Sequence, residues 1–181
     1  MSKISLVGRS QASGAAREAF ERKVAERGNI PNMYRVFGHR PWLLSTMDAH
    51  FAAVMGSGTV PIQLKELLAL QTSLENECRY CASSHAVLAE KTGATPDQIA
   101  RLREFESGPF SENQKAALRF GLQMTRDSNR VPESTFTALR AHFNEGEIVE
   151  IAAVVGLFAY FNRFNNAFAL EPTKPGEGVD S

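Results

Sequence analysis

From Glu145 to Ala169 the chain reads as one long helix that is apolar nearly all round between Ile148 and Phe161. Such a helix has no face for water, so it belongs in the middle of a bundle or at a contact between subunits. Its most apolar stretch, Ile151–Phe161, is about half of the roughly 20 residues that a membrane span needs. The rest of the sequence must therefore supply elements that enclose it. Most windows repeat their apolar residues at helical spacing, with no convincing strand and no internal repeat. An all-α helical bundle follows. At 181 residues the chain suits one domain with a substantial core, spanning 1–181, with a loose N-terminus over about 1–13 and a loose Pro- and Gly-rich tail over about 171–181.

Proline, glycine and capping residues mark the helix ends. The spacing predicts a first helix over Ala15–Glu26, closed near Gly28. After the turn Asn29-Ile30-Pro31-Asn32 comes a short helical piece around Met33–Phe37. Pro41 opens a helix through Trp42, Leu43, Met47, Phe51 and Val54, ended by Gly56-Ser57-Gly58. Pro61 opens the next, Ile62 to about Asn76, and another starts close to Cys78 and stops at Gly93, a residue suited to the C′ position. Thr95 caps a helix that begins at Pro96 and runs to about Phe105. Ser111 caps Glu112–Ser128, Pro132 starts a helix to about Phe143, and Asn144 with Glu147 resembles a capping box for the last helix.

Hydrophobic residues make up 43 % and charged residues 22 %, which are globular proportions. Formal net charge is zero and no basic stripe stands out, so nucleic acid is not an expected partner. Balanced charge repels other copies weakly and is compatible with self-association. The N-terminus lacks the apolar run of a signal peptide, and a cytoplasmic location is expected. Two cysteines three positions apart in such a chain point to a catalytic or metal role more than to a structural staple.

The segment that carries chemistry is Glu66 followed by Cys78-Arg79-Tyr80-Cys81-Ala82-Ser83-Ser84-His85. On a helix that starts near Cys78, the residues Cys78, Cys81 and His85 share one face with Ala82, Leu88 and Ala89, an apolar wall. A cysteine in the first turn lies at the positive end of the helix dipole, which favours its thiolate. A histidine one turn along can take a thiol proton, and two thiols at this spacing can close a disulfide that traps a sulfenic acid. Glu66 sits in a stripe with Ile62, Ala69 and Leu70, where an unpaired carboxylate would be costly to bury. His85 is the expected proton-sharing partner. The position of His85 assigns attack on an oxidant to Cys81 and resolution to Cys78; the helix-tip position of Cys78 argues for the opposite order.

The pattern Glu66, Cys78-x-x-Cys81, His85 resembles the alkylhydroperoxidase D-like (AhpD-like) branch of the carboxymuconolactone decarboxylase family. The segment with Pro61 and Leu64–Leu74 is similar to that family's glutamate-bearing helix. Glu147-Ile148-Val149-Glu150 and Phe161-Asn162-Arg163-Phe164-Asn165-Asn166-Ala167 are similar to its last helix, so the likeness covers roughly Pro41 to Leu170. The resemblance implies an AhpD-like helical bundle, homo-oligomers, and an antioxidant enzyme that reduces peroxide with thiols. It implies a proton relay from Glu66 through His85 to Cys78 and Cys81, no cofactor and no metal. The partners it implies are a peroxide substrate and a dithiol reductant, in the best known case a lipoyl-bearing protein. Well-studied members carry histidine just before the second cysteine, where this chain has Tyr80.

Three other readings of the segment are open. Two thiolates, His85 and Glu66 could hold zinc, although structural zinc prefers more sulfur. A decarboxylase-type lyase would share the fold without needing the cysteines. A redox sensor would form the disulfide without turnover. Elsewhere, His39, His50 and His142 read as surface or helix-end residues, and the amides around Asn162, Arg163, Asn165 and Asn166 as ties between helices. Gly56-Ser57-Gly58 lacks the strand and lysine of a phosphate-binding loop.

Overall fold

The structure, a computed structural model, describes residues 2–56 and 58–181. Met1 and Ser57 lie outside the described residues, and with Ser57 the middle of the predicted Gly56-Ser57-Gly58 stop. The described residues form helices and no strand: α1 (Gly14–Arg27), α2 (Asn32–Phe37), α3 (Pro41–Gly56), α4 (Ile62–Glu75), α5 (Arg79–Lys91), α6 (Pro96–Ala100), a 3-10 turn (Leu102–Glu104), α7 (Glu112–Arg126), α8 (Glu133–Arg140) and α9 (Glu145–Ala167). The fold is all-α. Among the described residues no helix is long and apolar enough to cross a membrane.

Most helix ends fall where capping chemistry puts them. Thr95 and Gln98 form a reciprocal capping box at α6, and Asn144 with Glu147 forms one at α9 through bonds of 2.9 and 3.0 Å. Several ends differ from the sequence expectation, among them that of α9, at Ala167 rather than Ala169. The helix predicted from Pro96 to about Phe105 stops at Ala100, and a 3-10 turn follows. At three residues per turn, Leu102 and Phe105 fall on the same side, and both are buried. Helix α7 stops at Arg126 because Asp127 leaves helical geometry and its carboxylate accepts the Asn129 N–H at 3.1 Å. Helix α8 stops at Arg140, and the N–H groups of His142 and Phe143 both turn back to the Leu139 carbonyl.

The chain divides into two compact units: Met1–Ala53 with Phe164–Ser181, and Val54–Arg163. In the first, α1 and α2 bury Ala16, Ala19, Phe20, Met33 and Phe37, and Phe37 stacks on Phe164 with centroids 4.2 Å apart. Pro31 precedes α2 and offers no capping side chain, so the first amides there need outside acceptors. The tail provides one: Thr173 Oγ1 accepts the Asn32 N–H at 2.9 Å, and ahead of the helix the Glu177 carbonyl accepts the Ile30 N–H at 3.0 Å. The composition of residues 171–181 suggested a loose segment; their backbone is tied here by the unmet hydrogen bonds of a short helix.

In the second unit the enclosed helix is α4. Every residue from Leu64 to Ser73 is buried. Helix α9, which the sequence placed in the middle of the bundle or at a contact between subunits, leaves Val149 67 % and Tyr160 45 % exposed. Helix α4 packs against α5 and α7. A helix with no face to water forces its polar side chains to find partners. Lys65, 1 % exposed, donates to the Val54 carbonyl at 2.8 Å and pairs with Glu150 at 3.2 Å. Glu150 also accepts the N–H groups of Thr59 and Val60 at 3.0 and 3.2 Å. The loop before α4 bends over this carboxylate at Gly58, where φ is +94° and a Cβ would fall 2.1 Å from Glu150. Of the other buried polar side chains of α4, Glu66 and Ser73 face the site described next, while Gln71 Oε1 and Thr72 Oγ1 have no hydrogen-bond partner among the described residues.

Candidate active site

Helices α4 and α5 meet at a joint made by one cysteine. The last turn of α4 closes in a Schellman motif: the Cys78 N–H donates to the Ser73 carbonyl at 2.8 Å and the Glu77 N–H to the Leu74 carbonyl at 3.3 Å. The C′ residue of this motif is left-handed. At the far end of α5 the same motif places Gly93 there, as its spacing predicted. At α4 the residue is Glu77, with φ +54°, a conformation that costs a side-chain-bearing residue roughly 1 kcal/mol. Cys78 then leaves the motif and becomes the N-cap of α5, its Sγ accepting the Cys81 N–H at 3.4 Å.

This position shapes the thiol. Both cysteines are free and buried. The Cys78 thiol is pulled from 9.0 down to about 7. The largest cause is the hydrogen bond from the Cys81 side chain; burial opposes it, and the Cys81 N–H, the Asn162 amide and the Tyr80 N–H add to the lowering. A thiol with that value is substantially ionised at neutral pH. The thiolate character falls on Cys78, whereas the histidine position had favoured Cys81 as the attacking residue.

Glu66 and His85 meet as the spacing suggested. His85 Nδ1 and Glu66 Oε2 are joined by a buried hydrogen bond of 2.6 Å. Their relative exposures are 6 % and 5 %, so water cannot substitute for either partner. The edge of the His85 ring meets Phe158, with centroids 4.4 Å apart and planes at 79°. The imidazole is thus held by a carboxylate at one nitrogen and an aromatic wall beside it, one helical turn beyond Cys81. Tyr80 is buried, and its N–H is among the influences that lower the Cys78 thiol.

Asn162 of α9 completes the site. It is fully buried, accepts from Asn76 Nδ2 at 3.0 Å and donates to Ser73 Oγ at 3.1 Å. Its amide is among the influences that lower the Cys78 thiol. The sequence reading gave this residue a role between helices, and it has that role. The available signal was an amide on an otherwise apolar helix, but its target depended on which helix lay opposite. Arg163 instead turns to the Ala159 carbonyl, and His39, His50 and His142 lie on the surface. Among the described residues no three His, Cys, Asp or Glu side chains are grouped to hold a metal ion.

The chain was compared with known proteins. The sequence profile of the carboxymuconolactone decarboxylase family matches residues 41–121, which include Glu66, Cys78, Cys81 and His85. The uncharacterized protein YdfG of Bacillus subtilis (strain 168) is 30 % identical over 105 residues, 57 % of this chain and 71 % of that protein. The alkylhydroperoxidase AhpD core of an uncharacterized peroxidase-related protein from Ralstonia eutropha JMP134 superposes with a TM-score of 0.89 at 24 % identity, covering 96 % of this chain and 93 % of that one. The debrominase Bmp8 superposes with a TM-score of 0.84 at 23 % identity, covering 96 % and 94 %. At these identities the two structures establish a shared fold.

Proposed function

Since the chain belongs to the carboxymuconolactone decarboxylase family and has an AhpD-like fold, we propose that it reduces peroxides with the thiol pair Cys78 and Cys81. The observation that carries this reading is the buried Cys78 thiol, which lies beside Cys81, accepts its N–H at 3.4 Å and is lowered to about 7. The peroxidase-related name of the Ralstonia protein supports the same chemistry.

The Cys78 thiolate attacks one peroxide oxygen. An S–O bond forms, the O–O bond breaks, and the leaving alkoxide takes a proton to become an alcohol. Cys81 then passes its proton toward the His85–Glu66 pair and attacks the Cys78 sulfenic acid. The S–S bond forms, the S–O bond breaks, and hydroxide leaves as water. Two thiols have been oxidised and one peroxide reduced, so each cycle consumes one equivalent of an external dithiol. The reductant proposed is a dithiol of the lipoyl class, and the assembly proposed is a homo-oligomer. Glu66 fixes the His85 ring and supports its positive charge while it holds the Cys81 proton.

Intact-mass analysis of the reduced protein after one equivalent of an organic hydroperoxide tests this. Loss of two hydrogens, located to a Cys78–Cys81 bond, is expected, with repeated turnover when dihydrolipoamide is present. Thiols that stay unreactive at neutral pH would overturn the proposal. A sensor would react once and stop; a lyase would keep its activity when both cysteines are changed to serine.

The shared fold with Bmp8 motivates a second reading on the same residues. Attack of the Cys78 thiolate on an aryl bromine would form S–Br and a carbanion that takes a proton, after which Cys81 would displace bromide to close the disulfide. Bromide release from a brominated aromatic, at a rate exceeding peroxide turnover, would favour it.

A further inference from the structure

We infer that the first compact unit carries a second ligand site, an aromatic cavity that takes a small organic acid with its carboxylate on Arg40. The site begins in a backbone turn. Helix α2 ends at Phe37, and Gly38, His39 and Arg40 carry the chain round to Pro41 at the start of α3. The His39 N–H returns to the Val36 carbonyl at 3.2 Å and the Arg40 N–H to the Phe37 carbonyl at 2.8 Å, so the turn is fixed by its own backbone. The N-terminal segment supplies another wall. The Lys3 N–H donates to the Phe168 carbonyl at 2.9 Å, and His39 Nε2 donates to the Ser5 carbonyl at 2.9 Å, which ties residues 3–5 down at both ends.

These elements enclose a cavity of about 350 Å³, at the small end of ligand sites. Its lining is chiefly aromatic. Phe37 and Phe164 stack with their planes 2° apart, and Phe168 stands at 75° to Phe164 with centroids 4.9 Å apart. Rings set flat and upright to one another form a corner that can receive a further ring, offset or edge-on. Ile4 and Leu43 add aliphatic wall. The charge around the cavity has one sign. His39 and Arg40 line it, and among the described residues no aspartate or glutamate does. The Arg40 guanidinium donates from Nη1 to the His39 carbonyl at 3.0 Å and pairs with no carboxylate among the described residues. Arg40 stands directly before the first residue of α3, so the helix dipole adds to its charge. A planar guanidinium with donors to spare recognises a carboxylate through two parallel bonds. The occupant that meets both the rings and the charge is an aromatic carboxylate of one or two rings. A second copy of this chain would bring a broad helical face, whereas this lining is a concavity of small-molecule size. All of the lining belongs to the first unit and none of it to the thiol pair or its partners, so the inference stands apart from the proposed function.

The test is calorimetric titration of the reduced full chain with 2-naphthoate, with 2-naphthalenemethanol and 2-naphthylmethylamine as neutral and cationic counterparts. Naphthoate is expected to bind at least about tenfold more tightly than either counterpart, the difference made by one charge-assisted contact. Arg40→Gln should remove that preference, and Arg40→Lys should restore part of it. Leu43→Trp fills the cavity and should abolish binding; Ile4→Trp, on another wall, serves if that variant does not fold. Cys78→Ser should bind naphthoate as the parent does, and loss of binding there would place the probe at the thiols and overturn the inference. No binding at millimolar naphthoate, or a preference that Arg40→Gln leaves untouched, would overturn it as well. So would affinity that falls with rising protein concentration in step with self-association that Leu43→Trp abolishes, which would give the cavity to a second copy. Naphthoate binding in a protein that fails to turn over peroxide would sink the proposed function and leave this site standing.

Discussion

Raising the pH from 6 to 9 should stabilise the reduced protein relative to its Cys78→Ser variant by about 2 kcal/mol. The sign follows from the direction of the shift. The folded thiol ionises at about 7 and the unfolded one at 9.0, so folding favours the thiolate. A depressed acid contributes its full stability above the unfolded value and loses it as the pH falls through the folded value. Two units at about 1.36 kcal/mol each set a ceiling near ~2.7 kcal/mol. At pH 9 half of the unfolded thiols are also ionised, which brings the expected gain to about 2 kcal/mol. Cys78 is 1 % exposed, so solvent screens little of it. Urea unfolding of both proteins at pH 6, 7.5 and 9 with a phosphine reductant gives the difference directly, because the other titrating groups cancel. Serine keeps a capping oxygen at the start of α5, which removes loss of the cap as an explanation. A difference that does not change with pH would refute the argument that the joint stabilises a thiolate.

Glu66→Ala leaves the buried His85 Nδ1 without its acceptor and should cost roughly 1–3 kcal/mol in urea unfolding. The same change in a His85→Ala background should cost clearly less, and simple additivity would show that the pair is not coupled. Gly58→Ala puts a Cβ into the Glu150 carboxylate and forces a left-handed alanine, with an expected loss of about 2 kcal/mol and a drop in Tm of roughly 4–8 °C. In a Glu150→Ala background the steric part of that loss should vanish. Glu77→Gly relieves the left-handed backbone and should stabilise by up to about 1 kcal/mol; destabilisation would mean that the Glu77 side chain holds something more important than its φ.

Helix ends were the most legible part of the sequence, because capping is local chemistry. Thr95, Asn144 and Gly93 each do what their neighbours in the chain allow. The burial of Glu66 was legible too, from its place in an apolar stripe, and its meeting with His85 needed one assumption, that α4 lies against α5. What escaped the reading depended on distant packing. The apolar content of α9 placed it in the middle of the bundle or at a subunit contact, while the polar residues of α4 hid its enclosure, since Lys65, Glu66 and Ser73 find partners on α9, α5 and their own helix. Side-chain polarity measures exposure only when no partner waits inside. Glu77 carries no sequence sign of left-handed backbone, and Asn162 could not be joined to Ser73 before α9 was placed.

The joint at Cys78 leaves the chain no slack. One position finishes a helix and begins the next, so a residue inserted just before it would have no turn to absorb it. Each added residue would advance α5 by roughly 100° about its own axis. His85 would swing off Glu66 without either side chain being altered. For this site the interval from glutamate to histidine is a mechanical phase, and a length change there is predicted to do more harm than most substitutions.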